Sequence, residues 1–145
     1  RAYFDNVGVH QNVLYPGIAE LIKALAEQGK KLAVATTKPE IYAVQILEEL
    51  RLDSYFAYIA GSELDGSRTN KAELIHYAMH NASIQSIEDS VMIGDTRFDI
   101  LAATEVGMDS IGVEYGFSRE NEFITYPPTQ TVATTDQLRE LLLEN

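Results

Sequence analysis

The chain has 145 residues, 46% of them hydrophobic, which fits one domain with a buried core. Its net charge of -11 argues against binding to nucleic acid or an acidic membrane, and the absence of cysteine excludes disulfides and thiolate metal sites. No signal peptide and no apolar run of membrane-spanning length is found, so we expect a soluble cytoplasmic protein.

The hydrophobic pattern predicts strands that alternate with helices along the chain. The predicted helices are the end of one over residues 1–7, then 15–29, 40–50, 71–81, 99–106 and 135–144. The predicted strands are residues 32–35, 55–62, 90–94, 109–113 and a short edge strand within 129–135. Alternation of this kind predicts right-handed βαβ units and therefore an α/β fold with a parallel sheet.

Apolar spacing also predicts which helix faces are buried. Residues Ile18, Leu21, Ile22 and Leu25 share one face of the second helix, and Gly29 is placed to end it. On the third helix, the side chains expected to face inward are Ile41, Val44, Leu47 and Leu50.

Polar residues follow three of the predicted strands. Thr36 and Thr37 follow "LAVA", Gly61 and Ser62 end another strand, and Asp95 follows "VMIG" with Asp99 four residues later. Hydroxyls and free backbone N–H groups at a strand end can hold a phosphate, and a neighbouring carboxylate can hold Mg²⁺. The alternative for these residues is helix capping or a solvated surface.

Two lysines compete for the role of the phosphate-binding cation. Lys71 opens a predicted helix, where a positive charge opposes the helix dipole; this local violation points to function, and an ordinary surface lysine is the alternative. Lys38 is closer in sequence to Thr36, but it precedes Pro39 and fits an ordinary loop charge.

Two further sets of residues are weaker candidates. His76 and His80 have the i, i+4 spacing of a zinc site, but no third histidine or HExxH pattern accompanies them. Tyr115 and Phe117 in "VEYGFS" are placed to border the site, and packing is the alternative.

The order "LAVATTK", "GSELDGSRTNKAELI", "VMIGDTRFDILAA", "GVEYGF" resembles the haloacid dehalogenase-like hydrolase superfamily. Within it the chain is similar to the phosphoglycolate phosphatase-like and nucleotidase-like branch, which carries a helical cap. The resemblance covers residues 15–144 and implies a Rossmann-like three-layer core.

The resemblance implies a role for each matching residue. Thr36 would hydrogen-bond the transferring phosphoryl group and Thr37 would add contacts, while Lys71 would neutralise its charge. Asp95 would bind Mg²⁺ directly, and Asp99 would support the metal waters or orient the lysine. Under this assignment, Lys38 is at most a peripheral substrate contact.

The first motif of the family, a strand ending in Asp-x-Asp, has no match in the chain. "AYFDNVG" has a single acid, Asp5, and resembles the last helix of the family's cap. We therefore expect residues 1–14 to be the tail of a cap and 15–145 an incomplete core, in a longer protein whose first strand and most of whose cap lie upstream. Loss of that strand would leave two unpaired buried edges in an unstable, inactive fragment.

These features give a leading hypothesis and two alternatives. The first is a Mg²⁺-dependent phosphatase that hydrolyses a small phosphorylated metabolite through an aspartyl-phosphate, with its nucleophile upstream of the chain. The second is a non-catalytic phosphate-binding or interaction module. A receiver-type domain is the third, and the "GDTRFD" pattern fits it poorly.

Overall fold

The computed structural model describes residues 2–5, 9–10, 13–14, 17–114 and 122–143, with side chains for 17–114 and 123–143. The strands are β1 (Ala2–Asp5), β2 (Val9–His10), β3 (Val13–Leu14), β4 (Lys31–Pro39), β5 (Tyr58–Ser62), β6 (Ser90–Gly94), β7 (Asp109–Val113) and β8 (Gln130–Val132). The helices are α1 (Ile18–Glu27), α2 (Glu40–Glu49), α3 (Lys71–Asn81), α4 (Arg97–Val106), α5 (Glu122–Thr125) and α6 (Thr135–Leu143).

Six strands form one sheet in the order β5-β4-β1-β6-β7-β8, and every pair in it is parallel. The strands β2 and β3 form a separate antiparallel pair. Helices α1, α2 and α6 contribute to the apolar cluster on one face of the sheet, and α3 and α4 to the cluster on the other. The prediction of a three-layer α/β fold with a parallel sheet is confirmed.

The alternation within β4 decides how closely each layer approaches the sheet. Leu32 and Val34 point to the face of α1 and α6, whereas Ala33 and Ala35 point to the face of α3. Successive side chains of a strand lie on opposite faces, so one face of β4 is bulky and the other is small. Helix α3 therefore packs against alanine and lies close to the strand ends.

The helix expected over residues 1–7 is wrong, because Ala2–Asp5 forms the strand β1. This strand lies between β4 and β6, with Asp5 in register with Val34 and Ile93. The two edges expected to be unpaired are thus both paired in this structure. Hydrogen bonding of both edges is the physical reason, since unpaired backbone groups within a covered sheet are costly.

The prediction for α2 is correct in its span but partly wrong in its buried face. Leu47 is fully buried together with Ala43, while Ile41 is 51% exposed. Helix α2 follows β4 directly, and in its first turn Glu40 binds the N–H of Gly61 in β5 while Ile41 lies on the exposed side. The other predicted helices agree with the structure to within a few residues at their ends.

Candidate functional site

The carboxyl ends of β4, β1 and β6 lie at one edge of the sheet. Val34, Asp5 and Ile93 are aligned across these three strands, and Thr36 and Asp95 each come two residues later. Neighbouring strands are spaced by about 4.8 Å, so the backbones of β4 and β6 are roughly 10 Å apart. The structure therefore brings both strand ends to the same edge, as predicted.

The carboxylate of Asp99 organises the turn that follows β6. Its Oδ2 accepts hydrogen bonds from the backbone N–H of Asp95 (3.2 Å), the backbone N–H of Thr96 (3.3 Å) and the Thr96 hydroxyl (3.3 Å). Asp99 is only 1% exposed. A side chain at Gly94 would overlap the Cβ of Asp99, so the turn requires glycine there. Asp99 thus has the capping role considered from the sequence, in a buried position.

The second oxygen of Asp99 binds the lysine that opens α3. The Nζ of Lys71 lies 2.9 Å from Oδ1 of Asp99, and the Lys71 side chain is 10% exposed. The side chain of Asn70 caps α3 by accepting the N–H of Glu73 at 3.0 Å. A buried ion pair therefore joins the first turns of α3 and α4 at the carboxyl edge.

The last part of β4, where its pairing with β5 becomes irregular, holds the predicted hydroxyls differently. Thr36 is buried, and its Oγ1 accepts the backbone N–H of Lys38 at 3.2 Å. Thr37 and Lys38 are exposed. The hydroxyl of Thr36 thus binds the backbone of its own segment and does not cap α2, whose N-cap is Pro39.

A groove of about 530 Å³ opens at this edge. Thr37, Lys71 and Asp99 line it together, whereas neither Thr36 nor Lys38 is part of its lining within the described residues. The 60% exposed ring of Phe98 forms part of the wall. The groove offers a ligand the ammonium of Lys71, the hydroxyls of Thr37, Thr69 and Thr96, the carboxylates of Asp99 and Glu105, and an apolar wall.

The weaker candidates do not form a site in the described residues. His76 and His80 are both exposed on α3. No group of three or more histidine, cysteine or acidic side chains placed to hold a metal ion is found in the described part of the chain. Tyr115 and Phe117 lie outside the described residues.

Sequence reasoning missed a polar network beside this edge. The guanidinium of Arg68 donates to the Gly61 carbonyl (2.9 Å), pairs with Glu63 (2.8 Å) and lies 3.9 Å from the ring centre of Tyr77. Glu40 accepts the Gly61 N–H at 3.1 Å. The residues in these contacts are up to 21 positions apart, and the only local signal is that Arg68 lies three positions before Lys71.

Tyr58 belongs to the same network. Its hydroxyl donates to Oε2 of Glu40 at 3.2 Å and lies 3.4 Å from the hydroxyl of Tyr77. Burial, the hydrogen bond with Tyr77 and the charge of Glu40 raise the pKa of Tyr58 above its usual value. The hydroxyl therefore stays protonated and remains a donor to the carboxylate of Glu40.

Comparison with known proteins gives a consistent picture. Residues 2–113 match the family model described as haloacid dehalogenase-like hydrolase. The chain is 40% identical to a 5'-nucleotidase of Pseudomonas aeruginosa, and the match covers 98% of this chain and 64% of the nucleotidase. It is 32% identical to phosphoglycolate phosphatase 1 of the same organism, and that match covers 98% of this chain and 50% of the phosphatase. It is also 37% identical to the tyrosine-protein kinase PtkA of Mycobacterium tuberculosis, over 98% of the chain and 49% of the kinase.

A solved structure shows the same fold. The crystal structure of a predicted phosphatase from Clostridium acetobutylicum superposes with a TM-score of 0.84 and 40% identity, over 90% of this chain and 60% of that one. The chain thus spans between about half and two thirds of the length of these relatives. In the described residues, no helix has the length and apolar character needed to cross a membrane.

Proposed function

Since the chain belongs to the haloacid dehalogenase-like hydrolase family, we propose that the complete protein is a Mg²⁺-dependent phosphatase acting on small phosphate monoesters. The observation that carries the proposal is the buried pair of Lys71 and Asp99 facing the groove at the carboxyl edge. In parallel α/β sheets this edge is where ligands bind. A lysine whose ammonium is held by a carboxylate at this edge can contact the phosphoryl oxygens of a substrate with little movement of its side chain.

Each residue has a distinct part in this proposal. The ammonium of Lys71 balances the charge of the phosphoryl oxygens, and the exposed hydroxyl of Thr37 donates to one of them. The hydroxyl of Thr36 accepts the N–H of Lys38 and so holds the backbone that presents Thr37, and its own O–H can donate to the phosphoryl group, as the resemblance implies. Lys38 is exposed and outside the groove lining, which suits a peripheral contact with substrate.

The two acids after β6 fit a metal ion unequally. Asp95 follows directly on the strand and offers oxygen, the ligand type that Mg²⁺ prefers. Asp99 already accepts three hydrogen bonds on one oxygen and the lysine on the other, so it fits the orientation of Lys71 better than direct ligation. When bound, the metal would supply positive charge between the anionic ester and an anionic nucleophile.

The nucleophile is the remaining component of the proposal. We place it upstream of the chain, on a strand ending in Asp-x-Asp, so that one aspartate attacks phosphorus and the other gives a proton to the leaving alcohol. Water then hydrolyses the aspartyl-phosphate. The relatives support this by their greater length, since the chain covers 64% of the 5'-nucleotidase. Residues 1–14 would then be the tail of a cap, and the chain alone would be inactive.

One observation favours the alternative of a non-catalytic phosphate-binding module. Strand β1 already occupies the place between β4 and β6, and it ends in Asp5 with Val7 where the motif needs a second acid. If no upstream motif exists, the groove can bind phosphate but has no acid/base pair. The catalytic proposal therefore requires that an upstream strand take the place of β1 in the complete protein.

Substrate and location belong to the same proposal. The groove is small and the net charge is -11, which favours a small phosphorylated metabolite over nucleic acid or a membrane. A cytoplasmic location fits such a substrate. The names of the relatives make a nucleoside monophosphate and phosphoglycolate the first esters to test.

The test compares the two lysines in the complete protein. A panel of phosphate monoesters is screened first, and steady-state kinetics are then measured for Lys71→Ala and Lys38→Ala. Loss of a cation that stabilises the transition state costs about 3 kcal/mol, so Lys71→Ala should lower kcat at least about a hundredfold. Lys38→Ala should change kcat less than about tenfold and act mainly on KM. The reverse ranking would contradict the assignment, and a wild-type protein that hydrolyses no ester would favour the binding module.

A further inference from the structure

The polar network around Arg68 lies where the pairing of β4 with β5 becomes irregular. The register runs from Ala35 opposite Ala60 to Pro39 opposite Ser62, so β4 uses four steps where β5 uses two. Between these points, Gly61 has its N–H bound by Glu40 and its carbonyl bound by Arg68. Two charged side chains thus bind both backbone polar groups of Gly61, the residue of β5 that faces the irregular segment.

This arrangement excludes other residues at Gly61. A Cβ there would lie 2.5 Å from the carbonyl oxygen of Lys38 and 2.6 Å from the backbone nitrogen of Glu40. The backbone of Lys38 and Glu40, at the junction of β4 and α2, therefore packs directly on the end of β5. Any shift of Gly61 would displace that junction.

Arg68 holds the other side of the same junction. It lies in the loop between β5 and α3, three residues before Lys71, and pairs with Glu63 at the start of that loop. The loop is closed by the Asp65 carboxylate, which accepts the N–H of Ser67 at 2.9 Å. The side chain of Arg68 also lies over the ring of Tyr77, one helical turn and a half into α3. It therefore contacts the strand before the loop and the helix after it.

The backbone of Arg68 is in an unusual conformation. Its φ is +57°, in the left-handed region that residues with a side chain rarely adopt. At Arg68 this conformation directs the side chain back to the end of β5, where the guanidinium binds Gly61 and Glu63.

From these contacts we infer that Arg68 is a positioning residue for Lys71: it fixes the start of α3 so that the ammonium meets Asp99 and the groove. The inference rests on the proposed function, because it assigns Arg68 a purpose in the same phosphoryl site. Arg68 is not part of the groove lining in the described residues, so it acts through Lys71 and not by contact with substrate. The side chain of Glu40, at the start of α2, also binds this end of β5 through the N–H of Gly61.

The experiment compares Arg68→Gln with Arg51→Gln in the complete protein. Arg51 is a matched control, because it too is an arginine with a positive φ, of 60°, but it is exposed and outside the network. A misplaced catalytic group can cost up to about a hundredfold, so we expect Arg68→Gln to lower kcat about tenfold with little change in KM. Arg51→Gln should leave kcat within about twofold.

A double-mutant cycle separates positioning from a general loss of structure. In a Lys71→Ala background, Arg68→Gln should lower kcat by less than about twofold, because the group that it positions is absent. A tenfold loss that persists in this background would overturn the inference, as would a single mutant that behaves like Arg51→Gln. If Arg68→Gln does not fold, Arg68→Lys replaces it with the same expected outcomes, since lysine keeps the charge but lacks the planar fork.

A measurement that does not depend on catalysis tests the positioning role even if the protein is not a phosphatase. If the wild-type protein hydrolyses no phosphate ester, the proposed function fails, and amide hydrogen exchange then decides the positioning role. Exchange at Glu73 and Leu74, in the first turn of α3, should be faster in Arg68→Gln and unchanged in Arg51→Gln. Equal protection in the two variants would overturn the inference.

Discussion

Replacement of Asp99 by asparagine should weaken the fold as well as the site. The carboxylate is 1% exposed and accepts Lys71 on one oxygen and three donors of the following turn on the other. An asparagine that keeps its oxygen toward the turn must direct its amide hydrogens at the ammonium of Lys71. The substitution thus replaces an attractive ion pair with two hydrogen-bond donors that face each other, the asparagine amide and the ammonium of Lys71.

The structure gives a magnitude for this loss. Removal of one partner from a buried ion pair costs about 3 to 5 kcal/mol. Lys71 borders the groove and retains 10% exposure, so its ammonium can recover some hydration. We therefore expect a decrease of about 3 kcal/mol in the free energy of unfolding, at the lower end of the range.

Urea unfolding of the complete protein, followed by circular dichroism, measures this change. The matched control is Asp136→Asn, because Asp136 is also an acid in the first turn of a helix but is exposed. The control should change the free energy of unfolding by less than about 0.5 kcal/mol. A loss below about 1 kcal/mol for Asp99→Asn, close to that of the control, would refute the view that this pair stabilises the junction of α3 and α4.

Two further substitutions concern catalysis. Asp95→Asn in the complete protein should remove most Mg²⁺-dependent turnover while preserving the circular dichroism spectrum, because it lowers ligand charge in a nearly isosteric side chain; activity equal to wild type in a magnesium titration would contradict the metal role. Asp5→Asn should leave turnover of the best ester within about threefold if the nucleophile lies upstream, and loss of turnover and of phosphoenzyme in a rapid acid quench would instead assign the attack to Asp5.

The sequence predicted the parts of the fold that depend on local pattern. The runs "LAVA" and "VMIG" are apolar throughout, which predicts buried strands, and Leu21 and Leu25 repeat with helical spacing, which predicts a helix. These predictions depend only on neighbouring residues along the chain. The resemblance to the family supplied the expectation that Lys71 and the acids after β6 share an edge, and the structure places Lys71 against Asp99.

The errors arose where distant residues decide the outcome. The local pattern predicts a helix at Tyr3 and Phe4, but the backbone of this segment pairs with β4 on one side and β6 on the other and forms a strand. Ile41 has the spacing of a buried residue, yet it is exposed in the first turn of α2. The bonds of Arg68 to Gly61 depend on a left-handed backbone and an irregular register, and neither has a signature in neighbouring residues.

The small face of β4 limits which sequences can encode this site. On the side of α3, Ala33, Ala35 and Ala60 are completely buried, so an added methyl group must push the helix outward and carry Lys71 with it. On the opposite side, Leu32 and Val34 lie among larger side chains that can exchange volume with one another. Homologous sequences should therefore vary in side-chain shape at Leu32 and Val34, on the face of α1 and α6. On the face of α3 they should keep alanine, glycine or serine, although these positions do not contact a ligand.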